Sequence, residues 1–243
     1  MSERRPNALV LGAGNFFFKY RNAAFPAVFA VLFLMADPHE FFGTNISLQR
    51  AIKYFGVALV ILGQLFRLMV IGYAYIKRGG KEGKVYADKL VIRGFYAHTR
   101  NPMYVGNALV VTGFCLVYQS VWSYFVALPI FLFSYYAITV AEEAYLRTRF
   151  GADYEHYTKT VNRFIPNFRG LKASLAEFHY DWKRALRKDY GNIAQAALAL
   201  CAIEARGGGW TLTPRLLTGL ALTGIFYLIA RILKKSGYLA SPN

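Results

Sequence analysis

Apolar residues in this chain gather into long runs, and the polar residues collect between them. Ala23 to Ala36, Ile52 to Ile76, Met103 to Val117, Trp122 to Ala141 and Leu216 to Leu233 read as apolar helices, and a bilayer core takes about 20 such residues. A sixth run, Ile193 to Ile203, is too short to cross unaided and predicts a tilted or re-entrant helix. The pattern therefore predicts an all-α polytopic membrane protein of about six transmembrane helices, five if Ile193 to Ile203 does not cross. Leu171 to Leu186 has apolar residues at helical intervals among Lys172, Lys183 and Arg184; it fits an amphipathic cytosolic helix on the headgroups and an ordinary solvated helix equally well.

Small and polar residues inside the runs refine this picture. Gly56 and Gly63 share one face of their helix, as do Gly106 and Gly113, which suits close helix contact. Gln64 and Arg67 sit within a span and are expected to face protein or a cavity, because leaving them in lipid is costly. Gly12-Ala13-Gly14 lacks the third glycine and the βαβ setting of a dinucleotide fingerprint, so it is not counted as one. Asp37-Pro38-His39-Glu40 ends the first span.

Composition supports the membrane assignment: 56% of the 243 residues are hydrophobic, with 20 Phe and 18 Tyr. The net charge of +16 raises the question of nucleic acid, but the basic residues lie beside the apolar runs, where an anionic bilayer surface is the simpler partner. Lys77, Arg78, Lys81, Lys84, Lys89, Arg93 and Arg100 crowd one loop, which marks the cytoplasmic side. The first run follows a segment containing Arg4, Arg5, Lys19 and Arg21 and has no cleavage-type site after it, so it is expected to be a retained helix. Cys115 and Cys201 lie in apolar segments without metal-ligand spacing and are expected to be buried free thiols, with no metal site.

Chemistry-bearing residues concentrate between Gly94 and Pro166. Gly94-Phe95-Tyr96 and Arg100-Asn101-Pro102-Met103-Tyr104-Val105-Gly106 precede two apolar runs, and Glu142-Glu143, Phe150-Gly151, Tyr154, Tyr157, Arg163 and Pro166 follow them. Adjacent helices would return both blocks to one membrane face. Pro102 suits the first turn of a helix and keeps Asn101 extended. This order of elements resembles the isoprenylcysteine carboxyl methyltransferase and phospholipid methyltransferase superfamily. Phe95 stands where that superfamily usually has Pro, and Asn101 where it most often has His; Asn cannot take up a proton near neutral pH.

The resemblance implies an integral membrane, multi-pass methyltransferase that uses S-adenosylmethionine, with its site facing the cytoplasm and a lipophilic acceptor drawn from the bilayer. It implies cofactor contacts from Tyr96, Arg100, Asn101, Tyr104, Gly106, Glu142 and Glu143. Arg163 is expected to clamp a carboxylate, of the cofactor or of an acceptor such as a prenylcysteine, and Glu142 or Glu143 to take the proton of an amine acceptor such as a phospholipid amine, Glu142 being the expected catalytic residue of the two. His98 falls on a variable position and is expected to be solvated at the interface. The expected organisation is residues 1–89 as membrane helices and basic loop, 90–170 as catalytic core, and 171–243 as amphipathic and C-terminal helices. An NADPH-dependent sterol-type reductase is the rival enzyme, disfavoured by Met103 and Asn107 where reductases carry Asn and an acidic residue. A non-catalytic membrane scaffold is the third possibility.

Overall fold

The computed structural model describes residues 7–38, 41, 45–73, 78–81, 84–87 and 89–240. Arg4, Arg5, His39, Glu40 and Lys77, which carried expectations above, lie outside the described residues. The apolar runs become α1 (Ala8–Met35), α2 (Ile46–Tyr73), α3 (Pro102–Tyr118), α4 (Leu128–Thr160) and, after the short α5 (Leu171–Ala176) and long α6 (Trp182–Gly207), α7 (Pro214–Lys235). The basic loop adds one antiparallel ribbon, β1 (Arg78–Lys81) and β2 (Lys84–Ala87), with Arg78 opposite Ala87.

Among the described residues, three helices are long and apolar enough to cross a membrane: α2, α4 with the π turn at Ser123–Ala127 that leads into it, and α7. α1 makes a fourth if its halves, Ala8–Arg21 and Phe25–Met35, bent by 85°, count as one span. The expectation of about six is thus higher than the structure shows. α3 has 17 residues, short of the usual crossing length. Ile193 to Ile203 is no separate segment but the interior of α6, whose first half carries Lys183, Arg184, Arg187, Lys188 and Asp189. The expected amphipathic helix over Leu171 to Leu186 is likewise divided, because α5 ends at Ala176 and α6 begins after its N-cap Asp181, whose carboxylate accepts from the Arg184 amide at 2.8 Å.

Glycines set the helix packing. α2 and α3 run antiparallel with Gly56 against Gly113 and Gly63 against Gly106, so the two glycine faces meet each other. A methyl group added at Gly63 would sit 2.7 Å from the Gly106 carbonyl oxygen. Gly14 does the same service between α1 and α4, where a Cβ would collide with the Ala137 carbonyl, while Gly12 faces open space. Of the two glycines near the N-terminus, Gly14 alone is therefore a packing feature.

α6 lies antiparallel along α2. Lys53 pairs with Glu204, the Gln64 amide donates to the Asn192 carbonyl at 3.4 Å, and Arg67 pairs with the buried Asp189. At the far end Arg184 donates to the Ile71 and Gly72 carbonyls at 3.2 and 2.8 Å, satisfying acceptors that the end of α2 leaves without intrahelical partners. α7 packs on the outer side of α6, with Gly219 against Cys201 and Tyr190 against Tyr227.

Candidate functional site

Two sequence-distant segments lie side by side just outside α3 and α4. The Arg100 amide donates to the Asn162 carbonyl at 2.9 Å, and the Asn167 amide to the His98 carbonyl at 3.0 Å. Thr99 Oγ1 donates to the carbonyls of Arg163 and Phe164, both at 3.2 Å. Gly151 makes this return possible. Its φ of 51° and ψ of −124° break α4 in a conformation that only glycine adopts without strain. The turn carries Tyr154 and Tyr157 beneath the motif, where the Tyr157 hydroxyl donates to the Tyr96 carbonyl at 2.6 Å. His98 is buried, with Nδ1 2.5 Å from the Asn167 carbonyl, and not solvated as expected; pairing of the two segments encloses it.

The paired glutamates separate into two environments. Glu143 is 2% exposed and sits in a cationic clamp: Arg163 Nη2 donates to Oε2 at 2.8 Å, Arg163 Nε lies 3.1 Å from Oε1, and Arg100 Nε forms an ion pair with Oε1 at 3.4 Å. Asn101 Nδ2 donates to Glu143 Oε1 at 3.4 Å and to the Arg163 carbonyl at 3.2 Å. One amide nitrogen carries both hydrogens, which a single neutral imidazole nitrogen would not. Burial alone would lower the Arg163 pKa, but the hydrogen bonds and charge of Glu143 outweigh it and raise the pKa above the ordinary guanidinium value. Arg163 is therefore engaged with Glu143. Gly106 likewise makes its close approach to α2.

Glu142 points elsewhere. It lines a cavity of about 1020 Å³ bounded by α1, α2, α3, α4 and α6. Tyr104 donates to Glu142 Oε1 at 2.9 Å, and the Tyr104 ring lies 5.7 Å from that of Tyr135, another wall residue. The cavity follows one face of α3 from Asn101 through Asn107, Val111 and Phe114 to Tyr118, a path of about 25 Å at the helical rise. Its character changes along that path. One end holds Gln64, Arg67, Tyr96, Asn101, Asn107 and Glu142; the other is walled by Phe25, Phe29, Phe33, Phe114 and Phe131. Gln64 and Arg67 face this space, as expected of polar groups at that depth, and Arg67 donates to both Asn107 and Asp189.

Of the expected site residues, Tyr96, Asn101, Tyr104 and Glu142 thus meet at the cavity, while Arg100, Glu143 and Arg163 form the clamp behind Asn101. Asn107, which counted above only against the reductase, lines the cavity without having been expected at the site, as do Lys188, Asn192 and Gln195, which stand on α6 with Arg184. Their spacing of three or four residues was a usable signal, a polar stripe on one helix face. Cys115 and Cys201 are free thiols, the first buried and the second half-buried. No group of metal-binding side chains occurs among the described residues.

The fold and cavity define a multi-pass membrane protein with a chamber, open on one side, that is polar at one end and aromatic at the other. Residues 52–153 match the phospholipid methyltransferase family, which belongs to the superfamily that the Arg100 and Glu142 blocks resemble. The match covers most of α2, the ribbon, α3 and most of α4; α1, α6 and α7 lie outside it. No curated protein and no solved structure matches the chain.

Proposed function

We propose that the protein transfers a methyl group from S-adenosylmethionine to an amine-bearing lipid at the cytoplasmic membrane face. The observation that carries this is Glu142, 8% exposed, held by Tyr104 at the polar end of a chamber whose other end is apolar. Such a volume, at the upper end of ordinary ligand pockets, has room for a cofactor beside part of a lipid. The residues present suit S-adenosylmethionine. Gln64 Oε1 is buried, lines the chamber and has no hydrogen-bond partner among the described residues, so it offers an acceptor to an ammonium or hydroxyl donor. Tyr96, Tyr104 and Tyr135 offer aromatic faces to a cation.

When bound, S-adenosylmethionine supplies a methyl group already activated by its sulfonium. The chain's own work is alignment, exclusion of water and proton handling. Glu142 takes the proton that an amine acceptor loses, with Tyr104 fixing the carboxylate's orientation. A carboxylate acceptor suits the chamber less well, since Glu142 would repel it and Arg163 is already engaged by Glu143. Arg100, Asn101, Glu143 and Arg163 serve as positioning residues that hold the start of α3 against the segment after α4.

The test uses full-length protein in detergent with S-adenosylhomocysteine as probe, read by thermal shift and calorimetry. Stabilisation by S-adenosylhomocysteine and none by NADPH is the expected result. Glu142 is also an expected cofactor contact, facing the cofactor's ammonium, so Glu142→Gln should weaken S-adenosylhomocysteine binding about ten- to a hundredfold, the loss of a charged hydrogen-bond partner. Stabilisation by NADPH alone would hand the site to the reductase alternative.

A further inference from the structure

The charged residues on the chamber wall are Arg21, Arg67, Glu142, Arg184 and Lys188. Of the four cations, two are neutralised within the fold. Arg67 is paired with Asp189, and Arg184 is spent on the α2 carbonyls with Asp181 3.9 Å away. Arg21 and Lys188 have no carboxylate partner among the described residues; Arg21 rests 4.3 Å above the Phe18 ring, and Lys188 is solvent-exposed. One comes from α1 and the other from α6, helices that lie wholly or mostly outside the family match.

These two helices meet at one end, where Ile203 packs with Ala36 and Phe33 and Arg206 pairs with Asp37 at 3.1 Å. From that closed end toward Arg21 and Lys188, the chamber lies between them. Pro26 on α1 and Asn192 and Gln195 on α6 are exposed and line it, so this side is the opening. Two unneutralised cations thus flank the opening, one carboxylate lies farther in, and the aromatic arm extends toward Phe33.

We infer that Arg21 and Lys188 form an anion subsite that holds the phosphodiester of the acceptor lipid at the opening between α1 and α6. This rests on the methyltransferase reading for the identity of the acceptor. The charge order matches a zwitterionic lipid: phosphate at Arg21 and Lys188, amine at Glu142, one chain along the aromatic arm and the remainder in the bilayer. A guanidinium and an ammonium both suit phosphate oxygens through charge-assisted hydrogen bonds. The subsite makes the phosphate, and not the amine alone, the selected feature.

The experiment compares two acceptors with the same nucleophile, phosphatidylethanolamine and a long-chain alkylamine, using wild type, Arg21→Gln, Lys188→Gln and Lys188→Arg in nanodiscs. Methyl transfer from labelled S-adenosylmethionine gives the ratio of kcat/KM values for the two. Each Gln variant should lower the preference for phosphatidylethanolamine about tenfold or more, the scale of a lost charged contact, and Lys188→Arg should retain most of it. Binding of both lipids to detergent-solubilised protein, read by native mass spectrometry, is scored in parallel. If neither lipid is methylated but wild type still prefers the phospholipid and the Gln variants do not, the methyltransferase proposal fails and the anion subsite stands. Unchanged preference in both Gln variants, in turnover and in binding, overturns the subsite. Inorganic phosphate is the third probe: an equal Lys188-dependent response to it and to the phospholipid would mark a free-anion site and overturn the lipid assignment.

Discussion

Glu142 and Glu143 are neighbours in sequence with opposite roles. Glu142 faces the chamber with a tyrosine hydroxyl on it, whereas Glu143 holds two arginines and an asparagine together in a nearly dry site. Glu143→Gln leaves Arg100, about a tenth exposed, without its carboxylate, and breaking a buried pair costs about 3 to 5 kcal/mol. The lower end applies here because the Arg163 side chain is 31% exposed. The expected outcome is a lower thermal midpoint in detergent, together with loss of S-adenosylhomocysteine binding only as far as the protein unfolds. Glu142→Gln should do the reverse, keeping the midpoint and weakening the ligand. If Glu143→Gln were as stable as wild type yet failed to bind, Glu143 would be a cofactor contact and not a positioning residue. This division was not legible in the sequence. Adjacent helical residues point about 100° apart, but which direction holds the chamber depends on where α3 and the 162–167 segment lie.

At the scale of elements, the glycine seam between α2 and α3 fixes the wall on which the chamber is built. Gly63→Val would drive a branched side chain into the Gly106 carbonyl and the Val110 side chain, 2.7 and 2.8 Å from the added Cβ. Overpacking of this kind costs about 1 to 3 kcal/mol. Since Arg67 is one turn along α2 and reaches Asn107, the same shift should disturb the polar end of the chamber. Gly63→Val should therefore lower both the thermal midpoint and ligand affinity. Gly12→Ala, with nothing within 4 Å, should change neither, whereas Gly14→Ala should resemble Gly63→Val. A neutral Gly14→Ala would remove the α1–α4 contact from the account. The seven-residue glycine spacing was visible in the sequence, and the structure supplies the partner, because each face meets the other's glycines.

For the whole molecule, one end gathers Arg93, Arg100, Arg147, Arg149, Arg163, Arg169, Lys172 and Lys183, and that is the end at which the candidate site lies. The proposed function puts this end at the cytoplasm, in keeping with its excess of basic residues. With Cys115 and Cys201 replaced by Ala, a single cysteine at the exposed Glu177 and one at the exposed Lys235 should be labelled from the cytoplasm, and one at the exposed Thr211 from the opposite face. α6 is not among the helices long and apolar enough to cross unaided, but it runs antiparallel along α2, and labelling of Glu177 and Thr211 positions from the same face would mean that it does not cross beside α2. By itself the sequence determined the apolar helices, the glycine faces and the family blocks, because hydropathy runs and residue spacing are local properties of the chain. Only the tertiary structure decided that the short run at Ile193 to Ile203 belongs to a continuous α6, that Asn101 reaches both Glu143 and the Arg163 carbonyl, and that Arg163 is engaged instead of free. The physical reason is that burial and ion pairing depend on which distant segments share a space. Glu143 can be enclosed only where residues 98–101 lie against 162–167, and that meeting requires Gly151 to turn the chain back.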